Sequence, residues 1–260
     1  GRLAGRRAGG GDRVVLTALR GALGFLSTLP VGQTQEGWEA FAARPAVMVA
    51  VGYVLGGLLV VPLALPLPAP LVGFGFVLAV YLLAGINNVD GLLDVADGVA
   101  THGDADRARA AMKDSDIGVG AVLSLGVVMI GLSAAGQHLA GLGLAGWGIV
   151  LAAEVGAKLG MVVVLARGTA SHEGLGSALS SNADGQTLPR GIVLAAPALF
   201  ATGLHPAAAV TLLAGAGTGL IAERWARERL GGINGDLLGA TNELARLAGL
   251  LAGVIAWTLL

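Results

Sequence analysis

Asp90, Asp94 and Asp97 stand in the stretch "NNVDGLLDVADG", directly after a run, 46–89, that holds no Asp, Glu, Lys or Arg. On a helix turning about 100° per residue, the three carboxylates share an arc of about 60°. Three negative groups on one face, at the end of an apolar segment, repel one another unless a cation lies between them. Carboxylates together with water and phosphate oxygens are the usual ligands of Mg2+. The spacing therefore predicts Asp90, Asp94 and Asp97 as metal ligands. The plainer alternative is a helix with acidic first turns that suit its dipole.

About twenty residues on comes "MKDSDIG". Lys113 suits a phosphate as a point charge, Ser115 can donate to one, and Asp114 and Asp116 can join a metal site. A third polar segment, "ASHEGLGSALSSNADG", reads as a lid or as a phosphate contact through Ser171, Glu173 and backbone amides, or else as a connecting loop. His172 is a candidate general base there. His102, His138 and His205 have no ligand-like spacing. The fourth segment, "GGINGDLLGATNELARL", again enters through glycines and brings Asp236, Asn242 and Glu243 close together in sequence. On a helix Asp236 and Glu243 share a face. A capped helix with an acidic first turn would look the same. Glu154 and Lys158, four apart inside an apolar run, read as an intramembrane ion pair.

The elements that position these groups follow from composition. The chain is 55% hydrophobic and 13% charged, with mean hydropathy +0.77. Soluble domains carry about 25% charged residues. An all-α, polytopic membrane bundle is expected, as one integral membrane domain over 1–260. Spans are read near Pro45–Leu65, Leu71–Asn87, Val119–Ala135, Leu144–Leu165 and Leu244–Leu260, with two shorter halves in Gly191–Ala222 broken at Leu204–Pro206. That makes about seven crossings, each needing about 20 apolar residues. Val14–Pro30 contains Arg20 and reads as an interfacial or re-entrant helix after a basic tail, 1–13. No short apolar segment with a cleavage site follows that tail, so no signal peptide is read.

Pairs of spans joined by short apolar turns place the tail and the segments 90–116, 167–190 and 223–243 on one side. These hold nearly all the Arg and Lys, which makes that side the cytoplasmic face of the cell membrane. One-sided polarity suits a membrane enzyme with cytosolic substrates. A formal net charge of −1 gives no argument for nucleic-acid binding. With no cysteine, disulfides, thiolate metal sites and cysteine nucleophiles are excluded. Nothing fixes the oligomeric state, and a homo-oligomer remains open.

Taken in order, these segments resemble the cobalamin synthase family, the adenosylcobinamide-GDP ribazoletransferases. "NNVDGLLDVADG", "MKDSDIG", "EGLG" and "GGINGDLLGATNE" match family motifs, and "FLSTLPVG", Phe25 to Gly32, is similar to the family's start. Asn88 replaces a usual His and Asn234 a usual Thr. Lys158 stands where Arg is common, and Arg246 near a usual acidic position. The resemblance implies a Mg2+-dependent transfer at the late, nucleotide-loop stage of cobalamin (vitamin B12) biosynthesis. In it, α-ribazole or its 5′-phosphate attacks the cobinamide-linked phosphate of adenosylcobinamide-GDP and GMP leaves. Asp90, Asp94 and Asp97 would then hold metal. Lys113, Ser115, Glu173, Asn234 and Asn242 would contact substrate. Asp94, Asp236, Glu243 or Asp114 would serve the chemistry, one of them as base. Two other readings stay open: a CDP-alcohol phosphotransferase, whose Asp-Gly-x-x-Ala-Arg motif breaks here after Asp90-Gly91, and a cation transporter.

Overall fold

The computed structural model describes residues 8–102 and 104–260. Of the basic tail, residues 1–7 lie outside the described residues. Among the described residues the regular elements are helices joined by turns and loops, with one isolated parallel bridge between Ala170 and Ile233. In chain order the helices are α1 (Ala8–Leu26), α2 (Gln35–Ala42), α3 (Met48–Leu63, entered through a 3-10 turn Pro45–Val47) and α4 (Ala69–Ala84). Then come α5 (Asn87–Ala100), α6 (Ala105–Met112), α7 (Val119–Ala140), α8 (Leu144–Arg167) and α9 (Leu175–Ser180). Helix α10 (Thr187–Ala195, extended as a 3-10 turn over Ala196–Phe200), α11 (Ala207–Arg229) and α12 (Gly235–Leu259) complete the chain.

Helix α8 is the centre. Nearly all of it is buried, and α3, α11 and α12 surround it. Small residues make the close approach possible. A Cβ on Gly215 would lie 2.5 Å from the backbone of Gly156, and one on Gly160 would lie 2.6 Å from the Gly215 carbonyl. In lipid, where apolar surface gains little by meeting apolar surface, such backbone approach is what packs helices together. Helix α7 differs: its outer face exposes Val122, Leu123, Val127 and Ile130, as a lipid-facing helix does.

The sequence-predicted spans fall on helices, but not all are long and apolar enough to cross. Among the described residues, by length and composition Pro45–Leu63, Val119–Ala140 and Leu144–Arg167 qualify, and α4 with α5 adds a fourth at most. Helix α10 with its extension covers only Thr187–Phe200. At about 1.5 Å per residue it falls short of a hydrocarbon core of about 30 Å. The last predicted span, Leu244–Leu260, is the second part of a helix that begins at Gly235.

The junction after α4 matters most for the site. Gly85 has φ +74°, a backbone conformation open to glycine, and the chain bends by 100° between α4 and α5. Thr28 takes up the carbonyls freed at this bend. Its amide donates to Leu83 O at 2.8 Å and its hydroxyl to Leu82 O. The motif "FLSTLPVG" therefore braces the turn that carries the aspartates away from the apolar bundle.

Candidate active site

Helix α5 forms as the aspartate spacing requires, and α12 packs directly on it. Gly91 is the reason. A Cβ there would lie 2.5 Å from the carbonyl oxygen of Asp236, so only glycine lets the start of α12 come this close. On the other helix, a Cβ on Gly239 would lie 3.0 Å from the Cα of Asn88. Together these contacts bring Asp236 to Asp90 and Asp94. Asn234 then fixes Asp236. Its Oδ1 accepts from the Leu237 amide at 2.9 Å, capping α12, and its Nδ2 donates to Asp236 Oδ2 at 3.0 Å. Replacing Gly91 with valine is expected to push α12 off α5 and lower turnover by at least about tenfold, since small misplacements of reacting groups are costly. Turnover of the folded variant, set beside that of Val99→Leu at an exposed position of the same helix, checks this.

The electrostatics show carboxylates crowding one another. The Asp94 carboxyl is pushed up to about 6, first by burial and then by the negative charges of Asp236, Asp90 and Asp97. Asp236 is also raised, by burial and by Asp90, with His172 opposing. A carboxyl raised in the fold is ionised at the expense of stability. Its contribution is present below the unfolded value of about 4 and is lost as pH rises through about 6. Metal-free protein should therefore lose stability between about pH 4 and 6, followed by thermal unfolding in detergent. Asp94→Asn should flatten that slope, and so should added Mg2+.

Asp97 is used differently. Its Oδ2 accepts from the Gly118 amide at 2.8 Å and its Oδ1 from the Ala121 amide at 2.9 Å. It therefore caps α7 across a separation invisible in local spacing. Among the described residues, no three His, Asp or Glu side chains converge on a common point as a closed metal shell. Mg2+ does not require one. It takes one or two carboxylates and fills its shell with water and substrate phosphate oxygens. Asp94, with Asp90 or Asp236, fits that need, and their mutual repulsion is what a cation would relieve.

Beside these carboxylates lies a cavity of about 290 Å3 lined by Arg109, Met112, Lys113, Ser171, His172, Leu230, Asn234 and Asp236. Three distant polar segments meet here. Two of them are sewn together: Ser171 N donates to Ile233 O at 2.9 Å, and Ile233 N to Thr169 O at 2.8 Å. Arg109 is held in place, its Nη1 donating to Leu230 O at 2.8 Å and its Nη2 to Asp106. Sequence reasoning missed Arg109. The available signal was its position one helical turn before Lys113, on the same face.

The other predicted residues are placed elsewhere. Asp114 and Asp116 line a second cavity, of about 320 Å3, with Asp97 and Thr101. Ser115 and Glu173 are exposed and line neither cavity. Asn242 and Glu243 point into the bundle, where they are 0% and 1% exposed. There Lys158 Nζ donates to Asn242 Oδ1 at 2.6 Å, and Asn242 Nδ2 to Glu243 Oε1 at 3.1 Å. Arg246 joins Glu243 at 2.6 Å and also pairs with Glu154. The predicted pair of Glu154 and Lys158 is present at 3.5 Å, as one edge of this larger network.

A family model described as cobalamin-5-phosphate synthase matches residues 18–254. A protein of Halorubrum lacusprofundi named adenosylcobinamide-GDP ribazoletransferase is 46% identical, over 94% of this chain and 99% of its own. Proteins of the same name from Haloquadratum walsbyi and Methanocella arvoryzae are 35% and 33% identical, over 95% and 94% of this chain and 100% and 97% of theirs. No solved structure matches the chain. None of these relatives is named as a CDP-alcohol phosphotransferase or a transporter. With its motifs in order and the match running over nearly its whole length, the chain belongs to the cobalamin-5-phosphate synthase family.

Proposed function

We propose that the chain carries out the transfer for which its relatives are named, joining adenosylcobinamide-GDP to α-ribazole, free or as its 5′-phosphate, with release of GMP. One observation carries this reading. The cavity of Arg109, Lys113, Ser171, His172, Asn234 and Asp236 brings two cations, a histidine and a carboxylate from three segments to one place. Phosphoryl transfer asks for little more than positioning and charge stabilisation. Lys113 and Arg109 take the pyrophosphate oxygens, and Arg109 arrives already oriented by Leu230. A ribose hydroxyl oxygen bonds to the cobinamide-linked phosphorus. The bond from that phosphorus to the bridging oxygen breaks, and the oxygen leaves with GMP.

The hydroxyl proton passes to Asp236, whose raised pKa suits a base and which Asn234 holds in place. Asp114 faces the other cavity, and Glu243 is spent on the buried network. With Asp236 kept as the base, Asp90 and Asp94 would hold Mg2+, which would supply positive charge to the pyrophosphate. The polar segments lie together on the cytoplasmic side. Helices α11 and α12 continue the crossings made by those that qualify by composition, and α10, too short for a flat bilayer, makes up about seven only by thinning the bilayer around it.

Product analysis tests the reaction. The protein in liposomes is given adenosylcobinamide-GDP, Mg2+ and either ribazole form. GMP with a corrinoid of matching mass supports the reading. GDP instead of GMP, or no nucleotide from folded protein with either form, overturns it.

A further inference from the structure

A groove of about 770 Å3 lies far in sequence from the acidic helix, between α1, the 3-10 turn before α3, and α10. Its walls are apolar: Val15 of α1, Val47 of the turn, and Val193 and Leu194 of α10. Val15 and Val193 are 51% and 71% exposed, apolar surface that a membrane protein turns to lipid. Its mouth is basic and polar: Arg44 and Arg190 line it, with Asn182 and Gln186 beside them. Arg44 stands one residue before the apolar segment Pro45–Leu63, and Arg190 lies near the start of Thr187–Phe200. Both guanidinium groups therefore sit where an apolar helix begins, the depth of lipid headgroups.

Among the described residues Arg44 makes no ion pair. Arg190 meets Asp184 through Nη1 alone, at 3.1 Å, which leaves the rest of its donor fork open. The groove thus has a cationic, hydrogen-bonding mouth above an apolar trough. That is the complement of a phosphate with a hydrocarbon chain attached.

We propose that this groove binds an anionic phospholipid, its phosphate between Arg44 and Arg190 and one chain along Val47, Val193 and Leu194. Basic pockets at the cytoplasmic ends of membrane helices recognise such headgroups, each arginine adding about 1 kcal/mol near the surface. The placement of the mouth at headgroup depth rests on the one-sided topology proposed above.

The test is retention of phosphatidylglycerol by the full chain in detergent, read by native mass spectrometry beside phosphatidylcholine and inorganic phosphate. Phosphatidylglycerol should bind in preference to phosphatidylcholine. Arg44→Gln and Arg190→Gln should each weaken it about fivefold, and both together about twenty-five-fold. Val193→Trp, which fills the trough and keeps both arginines, should weaken it too. Equal retention of the two lipids, unchanged retention in the double variant, or displacement by phosphate alone at comparable concentration would each overturn the proposal. GMP release is followed in parallel, because these residues lie outside the catalytic cavity. Failure of the wild type to retain phosphatidylglycerol, with normal GMP release, removes this inference alone. Absence of GMP from the wild type with lipid still bound removes only the functional reading.

Discussion

Arg246→Leu is expected to destabilise the chain by about 3–5 kcal/mol, the range for breaking a buried ion pair from one side. Arg246 is 1% exposed and bridges Glu154 on α8 and Glu243 on its own helix. Lys158 is the other cation of the network, meeting Glu154 and the Asn242 side chain. Two carboxylates and two cations balance. Without Arg246, two buried carboxylates share one lysine, inside a bundle where water cannot compensate. Against a total stability of about 5–15 kcal/mol, that loss removes much of the folded population. Removing Glu243 as well restores the balance, so Arg246→Leu with Glu243→Leu should recover most of the stability. Thermal unfolding in detergent of the two variants checks the prediction.

Asp236→Asn is expected to lower turnover by about 100- to 10,000-fold, the range for a lost general base. The fold should survive, because the asparagine side chain can still accept from Asn234 Nδ2. Lys113→Ala should lower turnover by about 100- to 1,000-fold, as loss of a preorganised charge does. Lys113 is exposed and makes no ion pair among the described residues, so stability should not change. Rates of GMP release by protein of unchanged melting temperature measure both effects. Near-normal rates would remove these residues from the chemistry.

Local spacing made α5 and its carboxylates readable. Helical periodicity alone placed Asp90 and Asp94 on one face, and hydropathy located the apolar helices, though not that α8 is their centre. The meeting of the polar segments followed from counting apolar stretches. What escaped was set by long-range packing. Asp97 caps α7 through the amides of Gly118 and Ala121, and a helix-wheel argument cannot see a partner outside its own helix. The contact of Gly91 with Asp236 escaped too, since a glycine does not name the backbone it will touch. Asn242 and Glu243 looked like active-site groups because they follow Asp236 closely. Yet α12 is a continuous helix, and each turn carries it further into the bundle, toward Glu154 and Lys158 of α8. The shortness of α10 was legible, since the break read at Leu204–Pro206 falls in the gap between Phe200 and Ala207.

The absence of cysteine allows a direct test of where the substrate binds. Ser171 lines the cavity of Lys113 and Asp236, and Ser171→Cys introduces one thiol there. The rate of maleimide labelling is measured with and without adenosylcobinamide-GDP and Mg2+, with Thr258→Cys at the far end of α12 as a control. Strong protection of position 171 and none of position 258 is the predicted result. Labelling of position 171 at the same rate with saturating substrate, in protein that still releases GMP, would contradict it and place the chemistry elsewhere.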